Sequence, residues 1–171
     1  LQAAPASRSV NLASLAHRWT RGMDLGDLNF ERRRYNKWDA YGKSKLANLL
    51  FTFELARRLP DSRLIVAAAH PGYASTNLQF VGPQMEDSRI GQTLMRLGNA
   101  VLGQSAAMGA LPTLYAATAQ DVINGDYFGP GGFQQLHGHP RKVGCRAAAR
   151  DEKQAAALWS ISQELTGVRY L

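Results

Sequence analysis

Two short apolar runs frame the first half of the chain. Residues 9–14 read Ser-Val-Asn-Leu-Ala-Ser, closing on small polar residues, and Leu64–Ala69 is uninterrupted Leu-Ile-Val-Ala-Ala-Ala. The first suits a buried strand whose C-terminal end opens into a site; the second suits a central parallel strand covered on both faces. Between them Leu46, Leu49, Leu50 and Phe53 recur at helical spacing, while Tyr41, Lys45, Asn48 and Thr52 fall on another face. Asn36 and Asp39 form a weak capping box that starts this helix just before Tyr41, and Leu59-Pro60 ends it. Strand, helix and strand in that order make a βαβ unit with a right-handed crossover, whose ligand crevice lies beyond the carboxyl ends of the strands. Ser14 and Pro71-Gly72 both fall there.

Further along, Ile90, Leu94, Leu97 and Val101 recur at helical spacing, as in a lid that covers an apolar substrate, touches a membrane surface or packs on the core. Ser105 caps a helix over 106–119, with Leu111, Leu114 and Tyr115 facing the core and a kink expected at Pro112. Residues 125–129 read as a short last strand, 130–140 as loop, and 151–166 as a final amphipathic helix that Gly167 ends. The expected architecture is α/β, about three parallel strands with flanking helices in one domain over 1–171.

Composition narrows the class without naming it. With 45% hydrophobic and 19% charged residues over 171 positions, the chain can build one ordinary globular core. No apolar run reaches the roughly 20 residues of a membrane span, so no transmembrane segment is expected. The start lacks the basic and apolar regions of a signal peptide and begins with Leu, as a fragment or processed product would. The single Cys145 rules out an internal disulfide framework and fits a reducing, cytoplasmic setting. Of the net charge of +7, the excess sits in residues 1–60, with eleven Lys and Arg against five Asp and Glu. Arg32-Arg33-Arg34 can serve a polar loop or an anionic partner; no nucleic-acid motif accompanies it, and no nucleic-acid partner is expected. His137, His139 and Cys145 lack a further ligand at zinc spacing, so no metal is expected either.

The candidate chemistry lies in Tyr41-Gly42-Lys43-Ser44-Lys45. Residues at i and i+4 have Cβ atoms about 6 Å apart, where a unit charge contributes roughly 3 kcal/mol at an effective dielectric near 20. In a largely dry setting the Lys45 ammonium can therefore lower a tyrosine pKa from about 10 by roughly two units, making Tyr41 a proton donor and acceptor. A surface Tyr beside a solvated Lys has the same spacing. Ser14 reads either as a site hydroxyl at a strand mouth or as a serine starting a turn. Pro71-Gly72 fixes one backbone angle and frees the next, so a flat ligand can approach closely. His70, ending a strand, reads as structural before catalytic.

Taken together, residues 10–17 (Val-Asn-Leu-Ala-Ser-Leu-Ala-His), 40–48 (Ala-Tyr-Gly-Lys-Ser-Lys-Leu-Ala-Asn), His70-Pro71-Gly72 with Thr76, Pro112-Thr113-Leu114-Tyr115-Ala116-Ala117 and Leu165-Thr166-Gly167-Val168 carry a resemblance. The chain resembles the C-terminal part of a short-chain dehydrogenase/reductase, in the branch of retinol dehydrogenases and protochlorophyllide reductases. That resemblance implies part of a Rossmann-type doubly wound sheet, NAD or NADP as cofactor, and hydride exchange with a carbonyl or alcohol substrate, expected to be apolar. By the same resemblance Ser14 bonds the substrate oxygen, Tyr41 shuttles the proton, Lys45 lowers the Tyr41 pKa and bonds the nicotinamide ribose, and the cofactor is bound by Tyr41, Lys45, Pro71, Gly72 and Thr76, the last three against the nicotinamide end. Tyr41 follows Ser14 by 27 residues, an interval that suits this branch, and Ala13 stands where many relatives carry another serine. The glycine-rich first turn, the ribose-reading residue and the Asn-Ala-Gly segment that such a fold needs are not in this sequence. Two expectations follow: an oxidoreductase whose dinucleotide-binding half lies outside the chain, with the isolated chain inactive, or a non-catalytic remnant or interaction module of that fold.

Overall fold

A computed structural model describes residues 4, 6–74 and 103–169. Its centre is a sheet of order β1-β2-β3-β4, formed by β1 (Ser7–Leu12), β2 (Leu64–Ala69), β3 (Tyr127–Pro130) and β4 (Pro140–Lys142). β1, β2 and β3 are parallel, as expected of strands that helices connect. β4 was not expected: it begins at Pro140, the last residue of the stretch read as loop, and runs antiparallel to β3, with Phe128 opposite Lys142. Three residues, one of them proline, are too few to show a period, and tertiary partners place them: Lys142 pairs with the buried Asp126, and Val143 donates its N–H to Tyr127 O at 2.8 Å.

Alternation along the strands sorts the core into two layers. Ala68 and Tyr127 face α1 (Lys37–Arg58) and meet Leu46, Leu49 and Leu50, all fully buried. Ala67, Ala69 and Phe128 face the other way, toward Ala116 of α2 (Ala106–Thr118). The last helix, α3 (Glu152–Thr166), lies on the α1 side, where Phe51 and Trp159 stack with ring centroids 5.5 Å apart. Burying each of the three leucines contributes about 2 kcal/mol, which seats α1 firmly on the sheet.

The helix ends follow the capping residues read in the sequence. Asn36 accepts hydrogen bonds from the Trp38 and Asp39 N–H groups, Ser105 from Met108 and Asp151 from Gln154, while Gly167 closes α3 in the left-handed conformation at φ 70°. α2 runs through Pro112 as one helix. Two side chains depart from expectation. Thr52 is fully buried, because its hydroxyl accepts from Asn11 Nδ2 at 3.0 Å and donates to Asn48 O at 2.7 Å. Leu114 is 54% exposed, since the sheet is met by Ala116 and Tyr115 instead. The stripe 90–101 lies outside the described residues.

Candidate active site at the strand ends

Register decides where the expected site residues fall. Because Leu12 is opposite Ala69, and Ala13 N–H bonds Ala69 O at 2.8 Å, β1 and β2 finish level with one another. Ser14 and the His70-Pro71-Gly72 turn therefore leave the sheet at one edge.

Ser14 caps a short 3-10 turn, Leu15–Trp19, with its Oγ accepting from Ala16 N–H at 3.2 Å. It is thus a turn-starting serine, yet the lone pair is what the turn uses, and the hydroxyl proton stays free to donate. The carbonyl of Ser14 is held by the buried His17, whose Nδ1 lies 2.6 Å away, while His17 Nε2 accepts from Arg146 N–H at 3.3 Å. One acceptor and one donor partner fix the neutral Nδ1–H tautomer. Burial, reinforced by Arg18 and Arg146, keeps the imidazole pKa below its ordinary value despite that bond.

α1 brings Tyr41 and Lys45 to the same edge through two contacts. A Cβ on Gly42 would lie 3.0 Å from Ala16 O, so the missing side chain lets the helix abut the turn after Ser14. One turn beyond Lys45, Asn48 Nδ2 donates to Leu12 O, the last carbonyl of β1, at 2.9 Å. Asn48 thus faces the strand end, as its helical face implied. Lys45 Nζ lies 5.5 Å from the Tyr41 ring centroid, and both side chains are half-buried. Lys43 takes the nearby carboxylate, bonding Asp39 at 2.7 Å. Among the described residues Lys45 has no acidic partner.

Pro71 and Gly72 follow β2, with Gly72 at φ 68°. Thr76 lies outside the described residues. His70, fully buried behind the turn, is structural in its surroundings, as read.

Other neighbours escaped the sequence reading. Trp19 and Trp38 pack edge to face at 5.8 Å, Trp19 lies 6.2 Å from the Tyr41 ring, and both tryptophans are more than half exposed. With Asn36 and Asp39 they line a cleft of about 440 Å³. The arginine run flanking this region is turned largely onto the chain itself. Arg33 pairs with Asp24 and Asp27 and lies 4.2 Å over the Phe30 ring, and Arg32 bonds Gly26 O. Burial pushes the Asp27 carboxyl up, but backbone N–H groups from Glu31 and Arg32 and the Arg33 guanidinium outweigh it and hold it below the usual carboxylate range. Among the described residues no three His, Cys, Asp or Glu side chains group closely enough to hold a metal.

Comparison with known proteins places the chain as a whole. No family model matches the chain. Human retinol dehydrogenase 13 is 38% identical over 98% of the chain, and mouse retinol dehydrogenase 14 is 33% identical over 98%. A chloroplastic short-chain dehydrogenase, TIC 32 A of Brassica napus, is 34% identical over 71%. The crystal structure of an uncharacterized protein from Mycobacterium paratuberculosis shares the fold, with TM-score 0.71 and 38% identity over 97% of this chain and 52% of that one. The chain spans about half the length of the curated relatives it matches, 48% of human retinol dehydrogenase 13. It corresponds to their C-terminal half, and on that match the chain belongs to the short-chain dehydrogenase/reductase family of oxidoreductases.

Proposed function

We propose that the chain supplies the proton-transfer side of an NAD- or NADP-dependent dehydrogenase site acting on an apolar alcohol or its carbonyl. The observation that carries this reading is the level ending of β1 and β2, with Tyr41 and Lys45 one helical turn apart on α1 beside it. In carbonyl reduction Tyr41 donates its phenolic proton to the substrate oxygen, and in alcohol oxidation it takes that proton back. Ser14 donates a hydrogen bond to the same oxygen, since the turn uses its hydroxyl only as an acceptor, from Ala16 N–H, and leaves the proton available. Lys45 stabilises the phenolate that Tyr41 becomes.

The residues present fit the nicotinamide end of a dinucleotide. Lys45 is an ammonium without an acidic partner among the described residues, and the Pro71-Gly72 turn offers backbone at the same sheet edge. Lys45 would bond the nicotinamide ribose, and Pro71 and Gly72 would flank the ring. The hydride comes from, or goes to, the bound cofactor. The sequence holds no glycine-rich phosphate turn, so the adenosine end needs residues beyond these. For the 171-residue chain alone, the reading is therefore no turnover.

Apolar substrates fit the tryptophans beside Tyr41, and the human and mouse relatives matched above carry the name retinol dehydrogenase. The test is nicotinamide oxidation with retinal as substrate, in the chain expressed together with its upstream coding sequence. Saturable turnover supports the reading. A pure protein that binds the cofactor yet reduces neither retinal nor other apolar aldehydes overturns it.

A further inference from the structure

The polar groups of the turn after β2 are held from behind by one imidazole and one loop. His70 Nδ1 lies 3.1 Å from Gly72 N–H, a donor, so that nitrogen must accept. His70 Nε2 lies 3.1 Å from Gln135 Oε1 and must carry the ring proton, because turning the Gln135 amide over would leave both ring nitrogens facing donors. The two bonds admit only the neutral Nε2–H tautomer. Loop residues hold the remaining groups: Tyr73 N–H donates to Leu136 O at 2.7 Å, and Gln104 links Pro71 O at 2.7 Å to Gly138 N–H at 3.0 Å.

The chain accepts unfavourable local geometry to make this arrangement. Gln134 and Gln135 adopt φ of 48° and 62°, a conformation non-glycine residues rarely take, and Gln135 thereby reaches His70. A Cβ on Gly129 would lie 2.1 Å from His70 Nε2, so the ring can cross β3 only above a glycine. Gly72 is equally confined, since a Cβ there would meet Leu136 O at 2.4 Å.

We propose that His70 is a positioning residue: through its Nε2–H tautomer it fixes the Pro71-Gly72 turn, and the strained Gln134-Gln135 segment exists to hold that tautomer. The functional weight of this inference rests on the reading that the turn flanks the nicotinamide. Burial lowers the His70 pKa to about 4, with His17 and Arg18 acting in the same direction against the Gln135 bond, so the ring is uncharged at neutral pH. Tyr127, its ring 5.3 Å from that of His70, is a further titratable group against it.

The test uses the 171-residue chain and two variants. His70→Asn places an amide oxygen near the position of Nδ1 and keeps an acceptor for Gly72; His70→Leu removes it. In nitrogen NMR of the wild type at neutral pH, Nε2 alone should be protonated. Hydrogen exchange at Gly72 should be about tenfold faster in His70→Leu and within about twofold of wild type in His70→Asn, with the β2 amides unchanged. If His70→Leu unfolds outright, the tautomer and the His70→Asn exchange rate decide. A ring protonated on Nδ1, Gly72 exchange indifferent to His70→Leu, or His70→Asn exchanging as fast as an unprotected amide overturns the proposal. None of these readouts needs turnover, so failure here is distinct from failure of the dehydrogenase reading. In the protein with its upstream half, the same role predicts a raised cofactor KM in His70→Leu that His70→Asn restores.

Discussion

The buried histidines make acid the condition under which this site should fail first. His70 titrates at about 4 in the folded chain against an ordinary 6.5, chiefly because burial disfavours its charged form. The unfolded chain therefore takes up the proton first, and stability that is complete above the ordinary value is lost as pH falls toward the folded one. A shift of this size corresponds to about 3 kcal/mol by proton linkage. His17 is lowered as well and acts in the same direction. Denaturant unfolding at neutral pH and at pH near 4 should show that loss, with a shallower dependence in His70→Asn; equal stability at both pH values would contradict it. The sequence suggested a structural His70 from its place at a strand end. It gave no sign of His17, because that role depends on Arg146, which lies 128 positions from Arg18 but packs against the same turn.

At the scale of elements, α1 is the piece that brings Tyr41 and Lys45 to the sheet edge, and its start is fixed by Asn36. Asn36→Ala removes the acceptor for the Trp38 and Asp39 N–H groups and should cost about 1 kcal/mol. Calorimetry on the chain measures this, and a loss below a few tenths would show that packing alone sets the helix start. The cap and the leucine stripe were legible because both are local: a side chain bonds the backbone two or three residues on, and the stripe repeats every turn. Thr52 was not, because burial of a hydroxyl depends on Asn11 from a different strand. Leu114 failed for the converse reason, since small Ala116 lets α2 approach the sheet and turns the larger residue outward. β4 is held by Asp126 and Tyr127 rather than by any pattern of its own.

For the whole molecule, the candidate site lies along one edge of a sheet whose β1 pairs on one side only among the described residues. The strand ends and α1 set Ser14, Tyr41, Lys45 and the Gly72 turn along one end of the sheet, while the sequence contains no glycine-rich phosphate turn. Titration calorimetry of the 171-residue chain with NADH and NADPH should accordingly give no saturable binding at micromolar concentrations; a saturable isotherm would mean that these residues hold the cofactor unaided. That Ser14 and Pro71-Gly72 leave the sheet at one edge was legible because parallel strands in register finish level with one another. The tryptophan-lined cleft was not, since Trp19 and Trp38 meet only once the 3-10 turn packs on α1. The most direct test of the account is Tyr41→Phe in the chain joined to an N-terminal half such as its matched relatives carry, with retinal reduction as the readout. The account predicts that kcat falls by about a thousandfold, the scale of general acid catalysis, while cofactor binding is kept. Turnover within a few fold of wild type would remove Tyr41 from the proton step and with it the proposed mechanism.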